Sequence, residues 1–245
     1  MDAVGGSASP ARFDEQALKR GVTSVKHPLT QALLALTFTT GLVDAVSYLA
    51  LGRVFTANMT GNVVLLGFGL AGSGGLPVVA PIVSLASVLV GAAAGGALVV
   101  RMSDRHPALV ARALGIEAFL LAVCAIVAGA TSIHPGNASA YVLIVLMAFA
   151  MGVRNATARR LAVPDLTTTV LTMTLTGIAA DTSAIGGPGS AIVRRALSIL
   201  AMAVGALIGA LLVLRVNDFA PLALAAGLAM ATLLVYVPRA MRLGR

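Results

Sequence analysis

Residues 41–67 read GLVDAVSYLALGRVFTANMTGNVVLLG. An apolar helix carries an acid, Asp44, inside it and breaks near Gly52-Arg53. It is followed at once by a segment crowded with Thr and Asn. A second stretch of the same kind, DLTTTVLTMTLTGIAADTS, fills residues 165–183. Whether these two polar runs cross a bilayer or dip in and return decides the fold.

The rest of the chain is built for lipid. Of its 245 residues 58% are hydrophobic and 11% charged, and the mean hydropathy is +0.97. A soluble domain carries roughly 25% charged residues, so a water-soluble enzyme, a disordered chain and a fibrous protein are excluded. The net charge of +8 would suggest nucleic acid in a soluble protein. Here the basic residues lie between apolar runs and Trp is absent, so they report membrane topology and no nucleic-acid partner is expected. Cys124 is the single cysteine, and His27, His106 and His134 each sit beside a proline without metal-ligand spacing. Neither a metal nor another cofactor is expected.

Residues 1–27 lack the apolar core of a signal peptide and read as a cytoplasmic tail. Eight apolar runs follow, at about 29–51, 54–72, 77–100, 109–130, 138–158, 165–183, 195–214 and 219–237. If all eight cross, the Lys and Arg divide nine inside and eight outside, which is no bias. If 54–72 and 165–183 return, fifteen lie inside and only Arg53 and Arg215 outside. The expectation is therefore an all-α integral membrane protein of six transmembrane helices and two polar re-entrant half-helix segments. Both termini are cytoplasmic, in a bacterial inner membrane, and residues 28–245 form one transmembrane domain.

The two polar runs also mark a repeat. Gly41-Leu-Val-Asp44-Ala45 matches Gly152-Val-Arg-Asn155-Ala156 at an offset of 111. Thr56-Ala-Asn58-Met-Thr60-Gly61 resembles Thr172-Met-Thr174-Leu-Thr176-Gly177. Each unit, about 29–130 and 138–237, holds three crossings, an odd number, so the expectation is two inverted three-helix repeats. Gly91/Gly95 and Gly205/Gly209 occupy matching places with small-xxx-small spacing. They imply close helix packing, either inside the bundle or between copies in a homo-oligomer.

Residues 41–67, together with RNATARRLAVPDLTTTVLTMTLTG at 154–177, resemble the YoaK family of six-spanning bacterial inner-membrane proteins. The resemblance covers roughly residues 30–237. It implies the six-helix count but brings no substrate, cofactor or catalytic residue.

Asp44 is the sharpest candidate for chemistry. A carboxylate within a span costs roughly 2.5–3.5 kcal/mol on insertion scales and must be protonated, paired or wet. It could bind a proton or cation, or cap the first polar segment with Ser47 nearby. Thr56, Asn58, Thr60 and Asn62, with Asn155, Thr172, Thr174 and Thr176 from the second half, would line a central solute or ion site if the half-helices meet. The same groups could instead satisfy backbone freed where the helices break. Glu117 reads as a coupling acid, an interfacial acid or a partner for Arg112. Arg154 reads as a compensating charge for Asp44 or as a snorkelling anchor beside Arg159 and Arg160. Arg53 could draw anions to an entrance or cap the first helix.

No nucleophile–base arrangement or phosphate loop is present, so no enzyme is expected. These features point to a small permease or channel moving an unidentified solute or ion through a central polar site, with proton coupling at Asp44. A non-transporting membrane scaffold is the alternative, and an intramembrane enzyme the third class.

Overall fold

The computed structural model describes residues 28–72, 74–102, 106–161, 175–176 and 189–243. The tail 1–27 and most of the second polar run, including Thr172 and Thr174, lie outside the described residues. Seven helices and no strand are found among those described: α1 (Pro28–Leu49), α2 (Met59–Leu70), α3 (Val79–Arg101), α4 (His106–Ala130), α5 (Ala138–Leu161), α6 (Gly189–Arg215) and α7 (Phe219–Leu243). Six are long and apolar enough to cross a membrane; α2 is the exception. At about 1.5 Å per residue its 12 residues span roughly 18 Å, well short of a bilayer core of about 30 Å.

Local chemistry sets the helix starts. Asn58 caps α2, its Oδ1 accepting from Gly61 N. Asn137 Oδ1 accepts from Ala140 N at 2.9 Å before α5, and Asn217 Oδ1 from Ala220 N at 2.8 Å before α7. Each side chain satisfies a backbone donor that the first turn leaves free. Alpha-1 ends differently: Gly52 and Arg53 both take positive φ, 100° and 58°. Arg53 N then donates to Tyr48 O at 3.1 Å, so it is the backbone of Arg53 that closes the helix.

Inter-helix contacts give the directions. Gly205 abuts Phe38, Gly41 abuts Met202 and Ala206, and Gly209 meets Leu42 and Ala45, so α1 and α6 run parallel. Gly91 abuts Phe149, Gly152 abuts Val88 and Ala92, and Gly95 meets Val153 and Ala156, so α3 and α5 run parallel too. The two sets are the same contacts with the halves exchanged: 111 positions separate the α1 and α5 partners and 114 the α3 and α6 partners. All four glycines of the small-xxx-small pairs are therefore used inside the bundle, where a backbone can approach only a residue without a side chain.

Alpha-4 and α7 are antiparallel, with Gly129 beside the Phe219 ring and Val110 and Leu114 packed with Tyr236. The loops joining α6 to α7 and α4 to α5 are too short to recross the bundle. Hence α1, α4 and α6 point one way and α3, α5 and α7 the other. Alpha-1 and its counterpart α5 are opposed, which is an inverted repeat. These two are the most buried spans, and α3 and α6 are the most exposed to lipid.

One end of the bundle thus carries Arg101, Arg112, Arg159, Arg160, Arg194, Arg195 and Arg239, and the other Arg53 and Arg215. These are called the basic end and the far end below. Residues 50–78 leave α1 and enter α3 at the far end, so the first polar run does not cross. Alpha-5 likewise ends, and α6 begins, at the basic end. Because Cys124 is buried, cysteine labelling can test this arrangement. Cysteines introduced at Gly74 and Asn217 should react with an impermeant maleimide from one side of intact vesicles, and one at Arg159 from the opposite side. Same-side reaction of all three would contradict the helix directions.

Candidate functional site

Asp44 is buried five residues before the far end of α1. Its Oδ1 accepts from Ala57 N at 2.9 Å and from Thr56 N at 3.2 Å. These contacts fold the chain at 54–58 back into the bundle. Ser47, also buried, donates its hydroxyl to Asp44 O at 3.2 Å. The loop is held from its other side by Asn62. Asn62 Nδ2 donates to Phe55 O at 2.6 Å and its Oδ1 accepts from Phe55 N at 2.8 Å. Ser84 on α3 donates to the same carbonyl at 2.7 Å. Tyr48 and Phe55 stack over the turn, with ring centroids 5.1 Å apart.

Two polar atoms at this place have no hydrogen-bond partner, Asp44 Oδ2 and Thr56 Oγ1, and both side chains are buried. An unpartnered buried polar atom costs about 1–3 kcal/mol, more when charged. Such atoms mark a place for a proton, an ion or a solute. The side chains of Asn58, the cap of α2, and Thr60 are exposed and do not join them. Asn62 is occupied with the loop.

Among the described residues the second half adds little to this spot. Thr176 is exposed, and Asn155, half-buried, sits six residues from the basic end of α5. Of the expectation that equivalent polar groups face one another at mid-depth, the described residues bear only on the pair Asp44 and Asn155. Inversion maps a residue at one depth to the mirrored depth. Asp44 and Asn155 therefore stand roughly 15 Å apart along the helix axes.

A second polar station lies nearer the basic end. Arg154 is buried, and its Nη1 donates to Glu117 Oε1 at 2.9 Å and to Leu36 O at 3.0 Å. Its Nη2 donates to the Thr40 hydroxyl and to Met151 Sδ. The snorkelling reading of Arg154 and the interfacial reading of Glu117 are both replaced by this pair, which ties α1, α4 and α5 together. Glu117 is 1% exposed, so no interfacial water reaches it. Its partner is Arg154 on α5, not Arg112 on its own helix. Glu117 Oε2 has no partner.

Among the described residues the buried charges divide by half, Asp44 and Glu117 in the first and Arg154 and Arg194 in the second. Along the sequence, Arg154 and Glu117 are 37 positions apart, and no spacing rule joins them. Ser84 left a fainter signal: Ser198 stands 114 positions on and is also buried on α6.

Two cavities lie along α1 and α3 among the described residues. One, about 210 Å³, lies between Gln31 and Ala35 of α1 and Thr232 and Arg239 of α7. The other, about 230 Å³, lies among α3, α4 and α5. Neither is lined by Asp44 or Thr56. Among the described residues no three His, Cys, Asp or Glu side chains gather as metal ligands. Outside the spans, partial burial holds the Asp218 carboxyl above the usual carboxylate range, while His134 pulls it the other way.

A family model described as "Protein of unknown function (DUF1275)" matches residues 32–235. The chain is 36% identical over 152 residues to the UPF0700 transmembrane protein YoaK of Bacillus subtilis (strain 168). That alignment covers 62% of this chain and 66% of the relative, just under two thirds of its length. No solved structure matches. With six membrane-length helices and a family match running from the first span into the last, this multi-pass chain belongs to the DUF1275 family.

Proposed function

We propose that this protein is a small permease or channel of a bacterial inner membrane, with both termini cytoplasmic and with Asp44 as its ion- or proton-binding group. The observation that carries the reading is the pair of unpartnered buried atoms, Asp44 Oδ2 and Thr56 Oγ1, where a half-helix begins. Inverted repeats with interrupted helices recur in transporters, whose sites are built from such breaks. A loop pinned through one carboxylate oxygen leaves the other to take a proton or a monovalent cation beside the threonine hydroxyl. The basic end faces the cytoplasm by the positive-inside rule.

The test is flux into proteoliposomes, over a panel of monovalent cations, protons and small polar solutes. At least one flux should require the protein and fall at least about tenfold in Asp44→Asn. Asparagine can still accept from Thr56 N and Ala57 N, so the loop stays capped while the charge is gone. Fluxes indifferent to the protein, or unchanged in Asp44→Asn, would end the reading.

A second reading, a membrane scaffold, is favoured by the polar groups that the turn pairs internally, Asp44 Oδ1 with Thr56 N and Ala57 N and Asn62 with Phe55. It predicts no protein-dependent flux and a marked loss of stability in Asp44→Ala.

A further inference from the structure

The cavity of about 230 Å³ on the basic side has an unusual wall. Ala94, Ala97 and Leu98 of α3, Ile116 of α4, and Phe149 and Val153 of α5 line it with hydrocarbon, while Arg101 and Arg112 stand at its mouth. Alpha-3 and α4 are consecutive in the chain yet barely touch, because each packs on α5 instead. The gap between them is open sideways, with Ala94, Ala97 and both arginines exposed.

Depth identifies what fits. Arg101 is the last residue of α3, and Phe149 lies twelve residues before the end of α5. The groove therefore runs roughly 18 Å inward from the basic end, about the hydrocarbon depth of one leaflet. Arg112 sits six residues into α4, and its long side chain can reach back toward the headgroup level. Among the described residues neither arginine has an acidic partner.

The pseudo-symmetric place at the far end is not built this way. Arg215 stands 114 positions after Arg101 and matches it. Alpha-7, the counterpart of α4, has no basic residue before Arg239, and Asp218 precedes it. The paired cations belong to one end only.

We propose that this groove holds one anionic phospholipid, its phosphate between Arg101 and Arg112 and an acyl chain along Ala94, Ala97, Ile116 and Phe149. Two arginines give a phosphate charge-assisted contacts that a zwitterionic headgroup, with its own cation, answers less well. The apolar wall is what a lipid would use and a soluble phosphate would not. The inference stands whether or not the protein transports anything.

The test is native mass spectrometry of the full chain in detergent, titrated with phosphatidylglycerol or with phosphatidylcholine of the same acyl chains. Wild type should retain one phosphatidylglycerol at least about tenfold more strongly than phosphatidylcholine. Arg101→Gln/Arg112→Gln should lose that preference, and Arg159→Gln/Arg160→Gln, at the same end but off the groove, should keep it. Ala97→Phe, which fills the wall and leaves both arginines, should weaken retention of phosphatidylglycerol. Size-exclusion elution and melting midpoint report whether each variant is folded. No headgroup preference, a double groove variant that binds as wild type, or equal loss in the Arg159/Arg160 control would overturn the proposal. So would full displacement of the lipid by millimolar inorganic phosphate with Ala97→Phe silent, since the site would then bind soluble phosphate.

Discussion

Replacing Arg154 by leucine should destabilise the bundle by about 3–5 kcal/mol, the usual cost of stripping one partner from a buried ion pair. The guanidinium serves three helices at once. Its loss leaves Glu117 Oε1 charged and alone in the interior, and removes a donor from Leu36 O on α1. The Thr40 hydroxyl keeps its bond to Leu36 O at 2.9 Å and is less affected. Glu117→Gln should cost much less, because an amide oxygen still accepts from Arg154. The double variant Glu117→Gln/Arg154→Met should recover part of the stability lost in Arg154→Leu, since an apolar replacement of a buried pair is often neutral. Thermal unfolding in detergent, followed by size exclusion, reads all three. If Arg154→Leu melted with wild type, or if the double variant were worse than it, the pair would not be the internal tie described.

The second large effect concerns the glycines between spans. Gly41→Val and Gly152→Val should each cost about 3 kcal/mol or more, because a Cβ at either place meets backbone of the neighbouring helix. Backbone cannot yield as the end of a flexible side chain can, so α1 must part from α6, or α5 from α3. The two variants should be similarly damaging, since each removes the same contact from one half of an inverted pair. Gly115 and Gly227 have nothing within 4 Å of a built Cβ, and alanine there should be neutral or mildly stabilising. A Gly41→Val chain with an unchanged melting midpoint, or a Gly115→Ala chain as damaged as Gly41→Val, would contradict this packing. A shift in oligomeric state without loss of stability would move the contact to a dimer interface.

The role of the glycines on the facing helices, Gly91, Gly95, Gly205 and Gly209, was half legible. Small-xxx-small spacing announced a close contact, but the identity of the partner helix depends on which faces α1, α3, α5 and α6 turn to one another. The same holds for the polar residues of the first re-entrant run. Thr56, Asn58, Thr60 and Asn62 look alike in sequence. Packing against Ser84 and Phe55 turns Asn62 inward and leaves Asn58 and Thr60 outward. Asp44 was readable as an acid that must cap or bind something, and its Oδ1 does cap.

What the amino-acid sequence determined alone was the membrane, the six crossings, and a polar stretch that enters and leaves at one end. Those follow from quantities additive along the chain: apolar length against bilayer thickness, and the count of cations between runs. Only the tertiary structure decided that Arg154 belongs to Glu117, that the glycines serve the bundle's interior, and that Asp44 and Asn155 stand at mirrored depths. Each depends on how rigid helices are rotated and shifted against one another, through side chains tens or more of positions apart. No local spacing encodes that.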